Sequence, residues 1–328
     1  MSVIVGEGEF RFRVVENWAQ LPAGWSFGEV AAVAVDSRDR VYVFSRCEHP
    51  VCVFEPDGRF ITAWGEGVLT HAHGLTIAPD DTVWCTDDWN HSVRQFSPRG
   101  ELLCTLGTPG QPSDTGIQGL DYRTIRQPGG PFNLPTNLAV APGGALFVSD
   151  GYGNCRVHHV DPSGRWLASW GEPGTRPGEF QLPHGIAIDA AGVVYVADRE
   201  NSRVQHLTPQ GQPLGVWDQT CRPMQVRFDR QGLAWVCELG LRAGRFPWFE
   251  VPANPPGALV KAFDASGRVV AELGAGDDPC APGQFFAPHD LCLDSRGNLY
   301  VGEVVLSAGG NRGLVDPSCH CLQKFERI

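Results

Sequence analysis

The sequence has no apolar run long enough to cross a membrane, and its start lacks the basic residues and apolar core of a secretory signal. It also has no excess of positive charge, because 37 Asp and Glu outnumber 26 Lys and Arg and give a formal net charge of −11. Nucleic-acid binding depends on Lys and Arg that neutralise phosphates, so this balance disfavours a nucleic-acid partner. We therefore expect a soluble cytoplasmic protein with no membrane or nucleic-acid partner.

Long helices are absent from the sequence pattern as well. The 328 residues include 40 Gly and 26 Pro. Long helices do not tolerate that many of these residues, whereas many short strands joined by tight turns require them. The composition therefore favours an all-β protein.

A disulfide framework is not expected either. Eleven cysteines is an odd number, and Cys85, Cys237 and Cys292 lie inside apolar strand patterns, where a thiol behaves as a small buried hydrophobe. The segment Cys319-His320-Cys321 has no second pair of ligands, so we interpret it as a loop without metal. The sequence predicts mostly free thiols.

What the sequence does contain is a repeat, present six times. Each copy has an apolar alternating run, a turn of Asp, Gly or Pro type, a second run that ends near an acidic residue, and a third run. One position near the start of each copy, which we call the slot, can be aligned in all six. It is occupied in turn by Ala31, His73, Thr136, His184, Met224 and His289.

This repeat predicts a propeller. A period of about 40 residues with loop insertions is typical of propeller blades, each of which buries its faces against its neighbours. We therefore predict an all-β, six-bladed β-propeller that forms a single domain over residues 1–328. The sixth copy lacks an obvious fourth strand, and a strand near residues 10–15 lacks a blade. We predict that this N-terminal strand pairs with the C-terminal strand at residues 322–328 and closes the ring.

Histidine occupies the slot in the second, fourth and sixth copies. A single histidine beside proline is more often a hydrogen-bonded or surface group than a metal ligand. Three in alternate copies are different, because a closed ring would aim all three imidazoles at its axis. Such a triad leaves open positions for water and substrate, as in a catalytic Zn²⁺ or Fe²⁺ site. We predict a metal centre at His73, His184 and His289, with Zn²⁺, Fe²⁺ or Mn²⁺ as the ion, and interpret the other histidines as structural or exposed.

A second set of positions lies where the second strand of each copy ends, and it includes Arg46, Tyr152 and Arg199. In a propeller these strand ends emerge at one face of the channel. Taken singly, each arginine is more simply a surface group bonded to loop carbonyls. Beside a three-histidine site, two guanidiniums favour bidentate recognition of a carboxylate, and a phenol offers a proton acceptor or donor.

Several motifs in these stretches carry a family resemblance. The sequence reads SDGY at 149–152, RPGEF at 176–180 and ADREN at 197–201, with HAHGLTIAP before them and APHDLCLD near the end. Nearly the whole chain, in blade order, resembles the catalytic core of peptidyl-α-hydroxyglycine α-amidating lyase, a six-bladed propeller of the NHL-repeat type. The resemblance is weakest in the fifth copy.

The resemblance implies specific roles. The zinc-binding histidines of the family match His73, His184 and His289, its catalytic tyrosine matches Tyr152, and its functional arginines match Arg46 and Arg199. It also implies a structural Ca²⁺ held by an Asp and by backbone carbonyls. The matching positions are Asp290, Val33 and Leu75. Without the family, Asp290 is more simply a partner of the metal-bound histidine next to it.

The activity implied is cleavage of a carbinolamide, a small or peptidic substrate, into an amide and glyoxylate by a zinc-dependent carbon–nitrogen lyase. Our mechanistic hypothesis makes Tyr152 the base that takes the hydroxyl proton, Arg46 the support of the phenolate, and Arg199 the carboxylate-binding residue. Two alternatives remain open: a lactonase-like hydrolase or other metal-dependent lyase on the same scaffold, and a non-catalytic NHL-repeat binding module. The sequence leaves the oligomeric state open.

Some positions depart from the family. Ala287, two residues before the last histidine, replaces a methionine of the animal members, which removes part of the predicted substrate-binding wall. Gly153 replaces a disulfide cysteine of secreted members, which favours a reducing compartment. Insertions at residues 239–257 and 304–318 follow second strands near the expected channel mouth. Both are candidate lid loops, although loops packed on the rim are an equal alternative.

Overall fold

The computed structural model describes residues 2–328 and is an all-β, six-bladed β-propeller. The chain starts with two strands, β1 (Ile4–Val5) and β2 (Phe12–Val15). Blade one comprises β3 (Val30–Val35), β4 (Val41–Ser45), β5 (Val51–Phe54) and β6 (Phe60–Trp64). Blade two comprises β7 (Ala72–Ile77), β8 (Val83–Asp87), β9 (Ser92–Phe96) and β10 (Leu102–Leu106). Blade three comprises β11 (Pro135–Val140), β12 (Leu146–Asp150), β13 (Arg156–Val160) and β14 (Trp166–Trp170).

A short parallel pair, β15 (Glu172–Pro173) and β16 (Glu179–Phe180), follows. Blade four comprises β17 (Pro183–Ile188), β18 (Val194–Asp198), β19 (Arg203–Leu207) and β20 (Pro213–Trp217). Blade five comprises β21 (Pro223–Phe228), β22 (Ala234–Glu238), β23 (Leu259–Phe263) and β24 (Val269–Leu273). Blade six contains β25 (Pro288–Leu293), β26 (Leu299–Glu303) and β27 (Leu322–Arg327), together with β2 and β1.

In the described part of the chain, helical structure is limited to short segments. They are α1 (Val305–Ala308) and three 3₁₀ turns at Tyr122–Thr124, Arg199–Asn201 and Gly310–Arg312. Within residues 2–328, no helix is long and apolar enough to cross a membrane.

The first and second strands of a blade are the most buried and the fourth strands the most exposed, and the residue types along each strand match this difference. The second strands read VYVFS, VWCTD, LFVSD and AWVCE and are buried along their whole length. Fourth strands such as β14 and β20 are largely exposed. Strands covered on both faces are apolar along most of their length, which explains why these runs do not alternate, and each of the four runs ends in a buried polar residue.

The turns within blades are built by aspartate. In six of them the Asp Oδ1 accepts hydrogen bonds from the backbone N–H groups two and four residues later, which stabilises the tight reversal. These residues are Asp36, Asp161, Asp189, Asp229, Asp264 and Asp294.

The chain divides into two compact units, and the first comprises the chain up to Glu66 together with Arg227–Ile328. In this unit β2 pairs antiparallel with β27, with Phe12 opposite Arg327 and Val15 opposite Lys324. Strand β25 of the same blade packs against β3 of blade one. The predicted pairing of the N- and C-terminal strands is therefore confirmed.

The second unit is Gly67–Val226 and contains blades two, three and four. Its inner strands β7, β11 and β17 pack side by side. Phe147, Phe180 and Ile186 lie in one buried cluster, and Phe132 with Leu138 in another. These clusters fix the inner strands that carry the slot residues of this unit.

Candidate metal centre and active site

Five of the six slot residues lie at an irregularity in the pairing of their strand. The pairing register of the inner strand shifts at the slot in blades one, two, three, four and six, for example between Ala72 and Gly74 and between Pro288 and Asp290. A β-bulge redirects the side chain at that point, and bulges are common beside functional sites. The repeat therefore holds its slot residues apart from the regular ladder.

In the second unit, two slot histidines lie close together. His73 and His184 are each 1% exposed, and their ring centroids are 4.8 Å apart. The Nδ1 of His73 is 2.6 Å from the carbonyl oxygen of Thr136, and the Nδ1 of His184 is 2.8 Å from that of Met224. Both acceptors are themselves slot residues.

The first unit repeats this arrangement. His289 is 3% exposed, and its Nδ1 is 2.6 Å from the carbonyl oxygen of Ala31, again a slot residue. A carbonyl oxygen only accepts, so Nδ1 carries the proton in all three rings and the lone pair of each neutral imidazole is on Nε2. The backbone thus fixes the tautomer that a metal ligand requires.

The candidate ligand nitrogens of His73, His184 and His289 all lie within 4.8 Å of one another. Three neutral imidazoles, buried and with fixed tautomers, fit a zinc or other divalent transition-metal ion. The structure therefore brings together the three residues that the slot pattern selected.

Two glycines allow these contacts. A Cβ added to Gly74 would lie 2.6 Å from the carbonyl oxygen of Thr136, and one added to Gly185 would lie 2.5 Å from that of Met224. Each glycine directly follows its slot histidine, so the next strand can approach closely enough to accept the Nδ1 hydrogen bond. This explains the His-Gly pair in two of the three copies.

Tyr152 and Arg199 meet beside the histidines of the second unit. The Tyr152 hydroxyl is 3.3 Å from Nε2 of His184, and the tyrosine ring is 5.2 Å from the ring of His73. Arg199 donates from Nη1 to the same hydroxyl at 3.1 Å. Arg199 is buried, and follows β18 on a 3₁₀ turn. A phenol oxygen is thus held between an imidazole and a guanidinium.

Arg46 lies in the first unit, where its Nη1 donates to Glu29 Oε1 at 2.7 Å and to Ser307 Oγ at 3.0 Å. The backbone N–H of Ser307 donates in turn to Glu29 Oε2 at 2.8 Å. Ser307 belongs to α1 within the 304–318 insertion. This insertion therefore contacts a predicted functional arginine, a connection that the sequence did not reveal.

The two insertions are also bonded to each other. The N–H of Gly244 donates to the carbonyl of Ala308 at 2.8 Å, and Arg312 donates to the carbonyl of Arg245 at 3.3 Å. The rings of Phe246 and Trp248 stack with centroids 4.7 Å apart. The insertions form one joined structure, and the lid function remains a prediction.

Asp290, at the predicted calcium position, is bonded to an arginine. Asp290 is 1% exposed, and its Oδ2 accepts from Arg227 Nη2 at 3.2 Å while its Oδ1 accepts from the N–H of Leu291 at 2.8 Å. Burial raises the pKa of Asp290 to about 6, although Arg227 opposes this. Val33 and Leu75 are buried in β3 and β7. The calcium site at Asp290, Val33 and Leu75 remains a prediction.

Ala287 is fully buried, and its N–H donates to Glu303 Oε2 at 3.0 Å. Its role as a substrate-binding position remains a prediction.

The structure explains why position 153 is a glycine, because a Cβ there would lie 2.1 Å from Asn133 Oδ1.

The prediction of mostly free thiols is confirmed, with one disulfide as an exception. Nine cysteines keep their thiols, but Cys280 and Cys319 form a disulfide, so the loop containing Cys319 is covalently tied to the segment before β25. No local pattern indicates this pairing, because the two residues are 39 positions apart and lie in irregular loops. Since disulfides persist in oxidising compartments, the cysteines do not support the cytoplasmic assignment, which remains a prediction.

Comparisons with known proteins agree with this architecture. The NHL repeat model matches residues 180–207. NHL repeat-containing protein 3 of Mus musculus is 34% identical over 317 residues, spanning 89% of this chain and 83% of that protein. Peptidyl-glycine alpha-amidating monooxygenase of Mus musculus is 32% identical over 313 residues, spanning 84% of this chain and 29% of that protein.

Two further similarities are informative. Peptidyl-alpha-hydroxyglycine alpha-amidating lyase 1 of Drosophila melanogaster is 30% identical over 216 residues, spanning 54% of this chain and 37% of that protein. A streptogramin B lyase structure superposes with a TM-score of 0.61 at 12% identity, covering 98% of this chain and 100% of that chain. At this identity the structural likeness concerns the fold alone.

Proposed function

The chain belongs to the NHL repeat family, and from this premise we propose that it is a metal-dependent lyase that cleaves the C–N bond of a carbinolamide to give an amide and glyoxylate. The observation that carries the proposal is the cluster of three histidines with fixed tautomers, one of which contacts Tyr152. Similarity to amidating monooxygenase and lyase sequences supports the reaction class.

His73, His184 and His289 would hold the metal through Nε2. We propose zinc, with Fe²⁺ or Mn²⁺ as alternatives. When bound, the ion would acidify a hydroxyl group placed beside it. The protein contributes the deprotonated nitrogen atoms and the carbonyl contacts that keep the imidazoles in place.

Tyr152 is the proposed base. Its oxygen takes the proton of the substrate hydroxyl, the carbon–oxygen double bond of glyoxylate forms, and the C–N bond breaks with its electron pair on nitrogen. The same proton then passes from Tyr152 to that nitrogen, so the amide leaves neutral and the tyrosine returns to its starting state. Arg199 binds the substrate carboxylate, and Arg46 supports the phenolate form of Tyr152.

A binding module is the second candidate. It is favoured by the similarity to NHL repeat-containing protein 3, which extends over most of both proteins and whose name states no activity. A module that only binds partners has no need for three imidazoles in one tautomer around a common point. The lyase is therefore the better explanation of the site.

A product assay tests the proposal. Purified protein of measured metal content is incubated with an N-acyl-α-hydroxyglycine, and glyoxylate and amide are quantified against a sample treated with a chelator. The proposal predicts equal amounts of both products and their loss on metal removal. Acid release from a lactone in place of glyoxylate would assign the hydrolase, and a metal-loaded protein with neither activity would favour the binding module.

A further inference from the structure

Arg199 does not act alone, because it belongs to a buried cluster of three charged side chains. Arg199 Nε donates to Glu200 Oε1 at 2.7 Å. Arg222 donates to the same carboxylate through both of its edges, from Nη2 to Oε1 at 2.9 Å and from Nε to Oε2 at 3.2 Å. One carboxylate is thus shared by two guanidiniums.

This cluster is deeply buried. Arg222 and the Glu200 side chain have 0% exposure, and the Arg199 side chain has 4%. Burial alone would raise the pKa of Glu200, but attraction to Arg199 and Arg222 outweighs it and holds the pKa below its usual value. Charges of this kind are retained only where hydrogen bonds fix their geometry.

The backbone of Arg222 adds a second observation. Its φ of 53° lies in the left-handed region, which an arginine seldom adopts, and its N–H donates to Ser202 Oγ at 3.2 Å. Leu134 and Leu182, which are also two residues before their slots, have φ of 59° and 64°, so this backbone turn is a feature of the repeat. The repeat therefore fixes the backbone position from which the Arg222 side chain reaches Glu200.

We propose that Glu200 and Arg222 are positioning residues that fix Arg199 for binding a substrate carboxylate. The inference rests on the proposed function, in which Arg199 is the carboxylate-binding residue. Glu200 fixes the Nε edge of Arg199, so that the Nη1 edge faces the Tyr152 hydroxyl. Arg222 donates to the same carboxylate. The side chains of Arg199, Glu200 and Arg222 together carry one net positive charge, which favours an anion beside Arg199.

The test compares Arg222→Met and Glu200→Gln with wild type. Glyoxylate binding is measured by calorimetry at full metal content, together with kcat and KM for an N-acyl-α-hydroxyglycine. We expect glyoxylate affinity to fall at least tenfold in both variants and KM to rise in parallel, because charged hydrogen bonds are lost. The control is Arg203→Met, which breaks the ion pair with Asp198 on the same blade but leaves Arg199 untouched.

Each outcome supports or overturns the positioning role. A folded, metal-loaded variant that binds glyoxylate as wild type does overturns it. Equal losses in the Arg203→Met control would reveal a merely structural effect and also overturn it. If Glu200→Gln does not fold, Glu200→Asp keeps the charge, withdraws the carboxylate by one methylene, and is expected to show the same loss. A wild-type protein that neither binds nor releases glyoxylate refutes the proposed function instead.

A different observation, in the other unit, carries a second inference. Asp290 follows His289, whereas glycine follows the slot histidines of blades two and four. This extra carboxylate accepts a hydrogen bond from Arg227, which is on β21 of the neighbouring blade and has a side-chain exposure of 16%. A buried carboxylate needs a cation, and here a residue of the chain supplies it.

We infer that Arg227 takes the place of an inorganic cation beside Asp290, so that the protein is independent of calcium. The melting temperature of the metal-loaded protein in a calcium-selective chelator should match that in millimolar CaCl₂. In Arg227→Ala the carboxylate of Asp290 loses this partner, so the variant should melt roughly 5 °C below wild type. Added CaCl₂ should restore part of that difference in melting temperature. The control is Arg230→Ala, at an exposed neighbouring residue, which should leave the melting temperature unchanged both in the chelator and in CaCl₂.

Calcium dependence of the wild type would overturn this second inference. The same conclusion would follow from one equivalent of calcium in the purified protein, or from an Arg227→Ala variant as stable as wild type. If that variant does not fold, the wild-type measurement alone decides. None of these outcomes depends on the reaction that the protein catalyses.

Discussion

The imidazole of His289 donates a hydrogen bond from Nδ1 to the backbone carbonyl of Ala31, 258 residues earlier in the chain, at 2.6 Å. His73 and Thr136 have the same relationship, as do His184 and Met224. Alternate slots therefore supply an imidazole and a carbonyl in turn. This alternation suits a metal centre, since each candidate ligand needs a neighbouring acceptor to fix its tautomer.

Removing one slot histidine should remove the metal. We expect His289→Ala to lower zinc affinity by more than about 100-fold, because even the loss of an outer partner of a ligand costs roughly 10–100-fold. Metal content is measured by mass spectrometry after dialysis. The control is His71→Ala, whose ring is bound by Asp88 at 2.6 Å and stacks on Trp89. Full zinc retention in His289→Ala would contradict the assignment.

Tyr152→Phe should abolish proton transfer and leave the metal in place. We expect kcat to fall by about 10²- to 10⁴-fold, the range typical of a lost general base or acid. Stopped assays of glyoxylate release, normalised to metal content, measure the effect. Tyr195→Phe, which removes a hydroxyl bonded to Asp189, serves as the matched control. A fully active, metal-replete Tyr152→Phe variant would refute the role.

Ser307→Ala should weaken activity through Arg46. The variant loses the Oγ that accepts from Arg46 but keeps the backbone N–H that binds Glu29. We expect kcat/KM to fall roughly 3- to 10-fold, the value of one hydrogen bond. The control is Ser318→Ala in the same insertion, which removes a hydroxyl that donates to Asp316 within a local turn. We expect this variant to keep the wild-type kcat/KM. Equal effects of both variants would show that Arg46 is not involved.

The Cys280–Cys319 disulfide should contribute to stability. It closes a loop of 39 residues, for which a free-energy loss of about 2–4 kcal/mol is expected in Cys280→Ser on unfolding by urea. Cys104→Ser, at a half-buried thiol, is the control. Thiol titration of the denatured, unreduced protein should count nine groups. A count of all eleven cysteines would show that the bridge does not form.

The pH dependence of stability should contain a contribution from His206. Burial between Tyr195 and Trp217 lowers the pKa of His206 to about 4. The unfolded chain therefore binds a proton near pH 6.5 while the folded protein does not, so stability is lost as the pH falls from 6.5 towards 4. His206→Gln should reduce this loss by on the order of 1 kcal/mol, after allowance for solvent screening of a partly exposed ring. Melting curves across this range measure it, and parallel curves for both proteins would contradict the prediction.

The sequence was sufficient for the fold and the three histidines because both depend on the repeat. Apolar runs and Asp turns recur at a fixed period, and a residue type that returns at one slot is visible without coordinates. The partners of functional groups are less accessible. Glu29 and Ser307 meet Arg46 from distant segments, and the bulge at each slot depends on strand pairing, so no local pattern reveals them. Glu200 was visible as the neighbour of Arg199, but its bond to Arg222 was not.

The pairing of β2 with β27 has a consequence for biosynthesis. Blade six combines strands from both ends of the chain, so it cannot be completed until residue 327 has left the ribosome. The contact between His289 and Ala31 forms within this same blade closure. Until β27 has paired with β2, the imidazole of His289 is not held by Ala31, so we expect stable metal binding only after this pairing.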